Sequence, residues 1–182
     1  WIAGHDPALE LRGDNSAQRI VQVGDVFAIF LIAGAIAKNC VTYALRSDLI
    51  WCLSFACLST VLLRAFGALG TRAILGGGLP RELARGNLAA GVAAAGHRVA
   101  TGVLLSRAAA GTDLRAVGLA LAFFVLAQLT QFAFVALFRA LTTYDDAEQI
   151  CGENLAAALS YAGVNLAVAI VVGRAVEGDF TG

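Results

Sequence analysis

The sequence contains no methionine, only two prolines, and little charge: 13 basic and 13 acidic side chains make up 14% of its 182 residues. Ordinary soluble domains carry roughly 25% charged residues. With 59% hydrophobic residues and a mean hydropathy of +0.76, the chain has too little polar surface to face water all round. Lipid must be the solvent over much of it. A net charge of zero gives no electrostatic footprint for a nucleic acid. Cys40, Cys52, Cys57 and Cys151 show no CxxC or metal-finger spacing. Three of them lie in apolar segments, where cysteine serves as a small packing residue. His5 and His97 make no haem or metal pair, and no HExxH or GxSxG motif is present. Gly76-Gly77-Gly78-Leu79-Pro80 is not followed by Gly-Lys-Ser/Thr, so it reads as a helix terminator rather than a phosphate cradle. No metal, no cofactor and no enzymatic activity are therefore expected.

What the sequence does have is long apolar runs. Five segments approach or exceed the roughly 20 residues needed to span a hydrocarbon core at about 1.5 Å per residue. They run Val26–Leu45, Leu49–Leu75, Leu88–Ala109, Leu114–Leu141 and Leu155–Val176. The expected fold is all-α, a polytopic transmembrane bundle of about five spans. Residues 1–23 form a polar N-terminal segment without the apolar run of a signal peptide, and 24–182 form the transmembrane domain. Arg46–Asp48 and Gly111–Asp113 are tight turns, whereas Gly76–Asn87 and Thr142–Asn154 are longer polar links. Arginines 12, 19, 72, 81, 85 and 139 fall on the N-terminal side, against 46, 107, 115 and 174 on the other. That excess predicts a cytoplasmic N-terminal side.

The apolar segments are not independent. Asn87-Leu88-Ala89-Ala90 recurs as Asn154-Leu155-Ala156-Ala157, and ten of the 25 positions from Asn87 to Gly111 are identical 67 residues on. A third copy is read from Gly24-Asp25, placed 62 residues before Gly86-Asn87, with Ala33-Gly34 opposite Ala95-Gly96. The copies cover 24–75, 86–141 and 153–182. Two helices separate successive copies, so these are parallel repeats of a two-helix unit, not the inverted repeats of many carriers.

Each copy opens on Asp25, Asn87 or Asn154. Asp and Asn are preferred helix caps because their side chains accept bonds from unpaired first-turn N–H groups. Gly34, Gly96, Ala100, Gly163 and Ala167 form a small-residue face that lets helices approach closely in lipid. A second stripe carries Asn87, Gly91, Ala94, Arg98 and Thr101, matched by Asn154, Ala158, Tyr161 and Asn165. Interhelical hydrogen bonding is its preferred reading, and a permeation path the sharper one. Lys38, Arg64 and Arg98 are charges within spans, and a charge at mid-bilayer costs at least about 2.5–3.5 kcal/mol. With every acid placed at a helix end or beyond, the expected partners are Gln128, Gln131, Tyr161, Asn165, backbone carbonyls, an anionic lipid or another subunit. A mid-span carboxylate for proton coupling is not expected.

At Asn87, Ala89, Ala90 and Gly96, and again at Asn154, Ala156, Ala157 and Gly163, the sequence resembles the YjfL-like family of small bacterial inner-membrane proteins of unknown function. The resemblance covers about Leu49 to Gly182. It implies tandem helix pairs, a multi-pass bacterial inner-membrane location and, by association only, envelope-stress partners of the PspA type. It also implies a sixth helix before Trp1, which the mass of the native product would test. The expected function is a non-enzymatic oligomeric scaffold, or a subunit of a larger membrane complex, in contact with membrane lipids. The alternative is an ion channel or transporter with a polar, basic path.

Overall fold

The computed structural model describes residues 15–143 and 145–176, apart from the side chains of 73–75. Among them are seven α-helices and no strand. They are α1 (Ser16–Asn39), α2 (Leu45–Leu75), α3 (Leu79–Ala84), α4 (Leu88–Ala108), α5 (Leu114–Leu141), α6 (Asp146–Cys151) and α7 (Leu155–Val176). Five of them, all but the six-residue α3 and α6, are long and apolar enough to cross a membrane. Large apolar side chains such as Phe30, Leu114 and Val171 lie on their outer surface, which suits a lipid solvent.

The first span differs from the sequence expectation. Its cap is Asn15, whose side-chain oxygen accepts from Gln18 N at 3.1 Å, and Asp25 lies within the helix rather than before it. The polar segment expected over 1–23 is thus helical from Ser16. Its first fourteen residues, and any helix before Trp1, lie outside the described residues. The long links hold α3 and α6, and the Gly76–Gly78 stretch is a single 3₁₀ turn with Gly76 at φ +71°.

α4 is the centre of the bundle. About two-thirds of its span is buried, against a third or less for each other span. Its composition explains this, because a helix rich in Ala and Gly lets neighbours approach on several sides. Against α1, a Cβ at Gly91 would meet Ala17 Cα at 2.8 Å, one at Gly24 would meet Ala95 Cα at 2.9 Å, and one at Gly102 would meet Ala28 Cα at 2.7 Å. These pairs rise together along both helices, so α1 and α4 are parallel. Against α7, a Cβ at Gly96 would meet Ala162 Cα at 2.9 Å and one at Gly173 would meet Arg107 Cγ at 3.1 Å, so that pair is also parallel. α2 runs antiparallel to α4, with Gly67 beside Arg98 and Gly70 beside His97.

The ends of these helices are tied in the same manner. Asn15 Nδ2 donates to the carbonyls of Leu83 (2.6 Å) and Ala84 (3.3 Å) at the end of α3. Asn87 Nδ2 donates to those of Ile150 (3.0 Å) and Cys151 (3.3 Å) at the end of α6. Asn87 also caps α4 by accepting from Ala90 N at 3.1 Å, and Asn154 accepts from Ala156 N and Ala157 N. Each cap spends its oxygen on its own helix. The amides of Asn15 and Asn87 reach the ends of the short helices α3 and α6, whereas that of Asn154 donates to Gln149 Oε1 at 2.8 Å.

Candidate functional site

The close approach of α1, α4 and α7 sets a polar layer across the middle of the bundle. Arg98 is the central residue of the 21-residue α4. Its Nη1 donates to Asp25 Oδ1 at 2.7 Å and Oδ2 at 3.1 Å, and the two side chains are 17% and 14% exposed. The expectation that no carboxylate shares this depth is corrected here: Asp25 is the partner, not a cap. Gly67 makes room for the guanidinium, since a Cβ there would lie 3.1 Å from Arg98 Cδ.

The next residue, His97, continues the layer toward α7. It is fully buried. Its Nδ1 lies 3.3 Å from Asn165 Oδ1, and its ring stacks on Phe132 with centroids 5.8 Å apart. The ring fills the space that a side chain on Gly70 would occupy. From α5, Gln131 Nε2 donates to Asn165 O at 3.3 Å, and Gln128 Nε2 donates to Gln131 Oε1 at 2.6 Å. Asn165 Nδ2 donates to Tyr161 O at 2.9 Å. Nε2 of His97, Oε1 of Gln128 and the Tyr161 hydroxyl make no hydrogen bond among the described residues.

Gln128, Gln131, Tyr161 and Asn165 are therefore brought together, but around His97 rather than Arg98. His97 was missed because one histidine in an apolar helix carries no local signal. Its slot depends on Gly70, far away in sequence. Lys38 is exposed in the last turn of α1 and joins no cluster. Arg64 is exposed on α2 and makes no hydrogen bond or ion pair among the described residues.

The small-residue face also needs correction. Gly96 packs on α7, and Ala100 is fully buried. Gly34 and Gly163 have nothing within 4 Å of an added Cβ, and Ala167 is exposed. The reason is position: Gly34 on α1 and Gly163 and Ala167 on α7 lie on sides of those helices that no neighbouring helix covers. In the stripe read as polar, Gly91, Ala94 and Thr101 are buried and Arg98 is half-buried.

A smaller charged cluster ties the last turn of α5 to α6, with its acids outside the spanning segments. Asp146 is 1% exposed, and its Oδ2 is 3.6 Å from Arg139 Nε. Arg139 Nη2 also lies 3.4 Å from Asp145 Oδ1. Burial raises the Asp146 carboxyl above its ordinary value, although Arg139 opposes the shift. Among the described residues no group of three His, Cys, Asp or Glu is placed to hold a metal.

No curated protein matches this chain. No solved structure matches it either. The family model described as Domain of Unknown Function (DUF350) matches residues 1–109 and 112–181, nearly the whole length, and the chain belongs to that family.

Proposed function

We propose that the protein is a non-enzymatic membrane scaffold, oligomeric or a subunit of a larger membrane complex, whose intramembrane polar groups hold helices together. One observation carries this reading. Align Asn15 with Asn87 and Asn154 as the caps of α1, α4 and α7. The Asp25–Arg98 pair between α1 and α4 then occupies the same positions as the His97–Asn165 pair between α4 and α7. The outward counterparts of these pairs are Val26 on α1 and Val164 on α7. Polar groups thus occur at this height where two copies meet, and valine where a copy ends. A permeation path would need polar groups around a lumen, whereas these bond to one another between packed helices.

The same alignment supports reading α1, α4 and α7 as parallel copies of one unit, and the family match in two segments agrees with duplication. The narrower placement among YjfL-like proteins belongs to this proposal, as do the bacterial inner membrane, a cytoplasmic N-terminal side and an envelope-stress partner. Ion flux from vesicles holding the purified chain tests the scaffold reading. No conductance above protein-free vesicles is expected. A selective anion conductance abolished by Arg98→Ala overturns it.

A further inference from the structure

Among the described residues, Arg64 is a charge deep within a span with no counterpart. It lies on the exposed side of α2, in the same stripe as Leu53, Cys57 and Val61, which are also exposed. Its depth follows from its neighbours. Gly67, three residues on, touches the side chain of Arg98, the central residue of α4. At about 1.5 Å per residue, Arg64 is roughly 4.5 Å from that level. The nearer end of the apolar span on α2, Arg72, is eight residues away, or about 12 Å, which an arginine side chain does not bridge. Helical side chains lean toward their own N-terminus, and for Arg64 that direction leads away from the nearer end. A permanently charged guanidinium therefore faces the hydrocarbon core near its middle.

The mid-depth carboxylate that the described residues supply, Asp25, is already held through both oxygens by Arg98. A second copy of this chain would bring another arginine with its own aspartate and leave the charge unbalanced. Neutrality at this depth requires one additional negative charge from outside. We infer that the outer face of α2 is the docking surface for a partner transmembrane helix carrying a single Asp or Glu near the middle of its span. The apolar stripe of Leu53 and Val61 packs against that helix, and Arg64 pairs with its carboxylate. A paired charge is the usual form in which an ionisable side chain persists inside a membrane. This inference rests on the scaffold reading and names the chemistry of the partner.

The test uses the full chain in phosphatidylcholine vesicles with a dansyl-labelled polyleucine helix bearing one central Glu. Gln and all-Leu versions are the controls, and energy transfer from protein tryptophan reports association. The Glu helix is expected to bind at least about tenfold more tightly than the Leu helix, equivalent to about 1.4 kcal/mol, with Gln between them. Arg64→Leu is expected to abolish the difference. A cysteine seven residues from the peptide's Glu should form a disulfide with Cys57 under an added oxidant, and Cys57→Ser should remove the link. Equal binding of Glu and Leu helices to the unaltered protein refutes the inference without relying on any variant. Undiminished binding to Arg64→Leu also refutes it. Disulfide-linked pairs of this chain through Cys57 that exclude the peptide assign the face to a second copy, and displacement by added phosphatidylglycerol assigns it to a lipid headgroup. Either result overturns the proposal. Vesicle flux is read separately, so failure of the scaffold reading and failure of this docking site are distinguishable.

Discussion

Removing either partner of the Asp25–Arg98 pair should cost far more than breaking a surface salt bridge. An exposed ion pair contributes about 0.2–1 kcal/mol, whereas removing one partner of a buried pair costs about 3–5 kcal/mol because a charge is left without compensation. With side chains 17% and 14% exposed and contacts at 2.7 and 3.1 Å, this pair stands near the buried limit. Asp25→Ala strands the guanidinium of Arg98 between α1, α4 and Gly67, at an expected cost of about 3 kcal/mol. Arg98→Ala strands the carboxylate and opens space beside Gly67, at a similar cost. The double variant leaves no unpaired charge, so its cost should fall short of the sum by about 2 kcal/mol or more, within the range seen for residues in contact. Asp25→Asn keeps an acceptor for Nη1 and should fall between. Reversible unfolding in mixed micelles, titrated with dodecyl sulfate and followed by far-ultraviolet circular dichroism, gives all four corners of the cycle. Single costs below about 1 kcal/mol with additive behaviour would show that the pair acts as a solvated ion pair, and the polar layer would lose its claim to hold α1 on α4.

Two further outcomes follow from other parts of the bundle. Gly70→Ala drives a methyl group into the imidazole of His97, which Phe132 and Asn165 hold in place. Overpacking of this kind costs about 1–3 kcal/mol, and the same unfolding assay should show Gly70→Ala costing much less in a His97→Ala background; an equal cost in both backgrounds contradicts the contact. Burial raises the Asp146 carboxyl above its ordinary 3.8, so the folded state holds this proton more tightly than the unfolded chain. Stability should therefore be fullest below that ordinary value and fall as pH climbs through the raised one. Asp146→Asn removes this slope and gains on the unaltered protein above the window. Unfolding midpoints measured from pH 3 to 7 test the sign, and a steeper slope in the variant refutes it.

The fold class was legible in the sequence because lipid imposes coarse demands. Four of the five spans read from apolarity begin within four residues of the observed helices, and α5 and α7 match at both ends. The first did not, for a definite reason. Gln18, Arg19 and Gln22 make the opening turns of α1 polar, so an apolar window starts late, and Asp25 before an apolar run imitates a cap. The helix is started instead by Asn15, whose carboxamide both caps α1 and binds the end of α3. Under the proposed repeat, with the helix caps aligned, that misplaced start also shifts the register by ten residues. With Asn15 opposite Asn87, residues Ala17, Gly24 and Ala28 fall opposite Ala89, Gly96 and Ala100, the small positions at which these helices meet. The spacing was visible in the sequence, but Gly24-Asp25 against Gly86-Asn87 offered a more conspicuous local match. The partner of Arg98 was lost with the register, because an aspartate taken for a helix end cannot be a mid-span counter-charge.

The contacts between α1, α4 and α7 explain why small and polar residues occur side by side. Helices in lipid gain little from burying apolar surface against each other, since lipid tails are as apolar as leucine; association draws on close packing and interhelical polar contacts. Gly24 precedes Asp25, and Gly96 precedes His97. In each case the glycine removes the side chain that would hold the next helix away, with Ala95 and Ala162 at the points of approach. The following residue then reaches Arg98 or Asn165. The glycine thereby makes the polar contact short, and the polar contact fixes the depth at which the glycine meets its neighbour. On α7 the corresponding residues are Gly163 and Val164, so the approach position persists while the polar one is replaced by an apolar side chain. A further interface made at Gly163 and Val164 by the same rule would therefore lack the depth-setting pair, and helices would meet there by close packing alone.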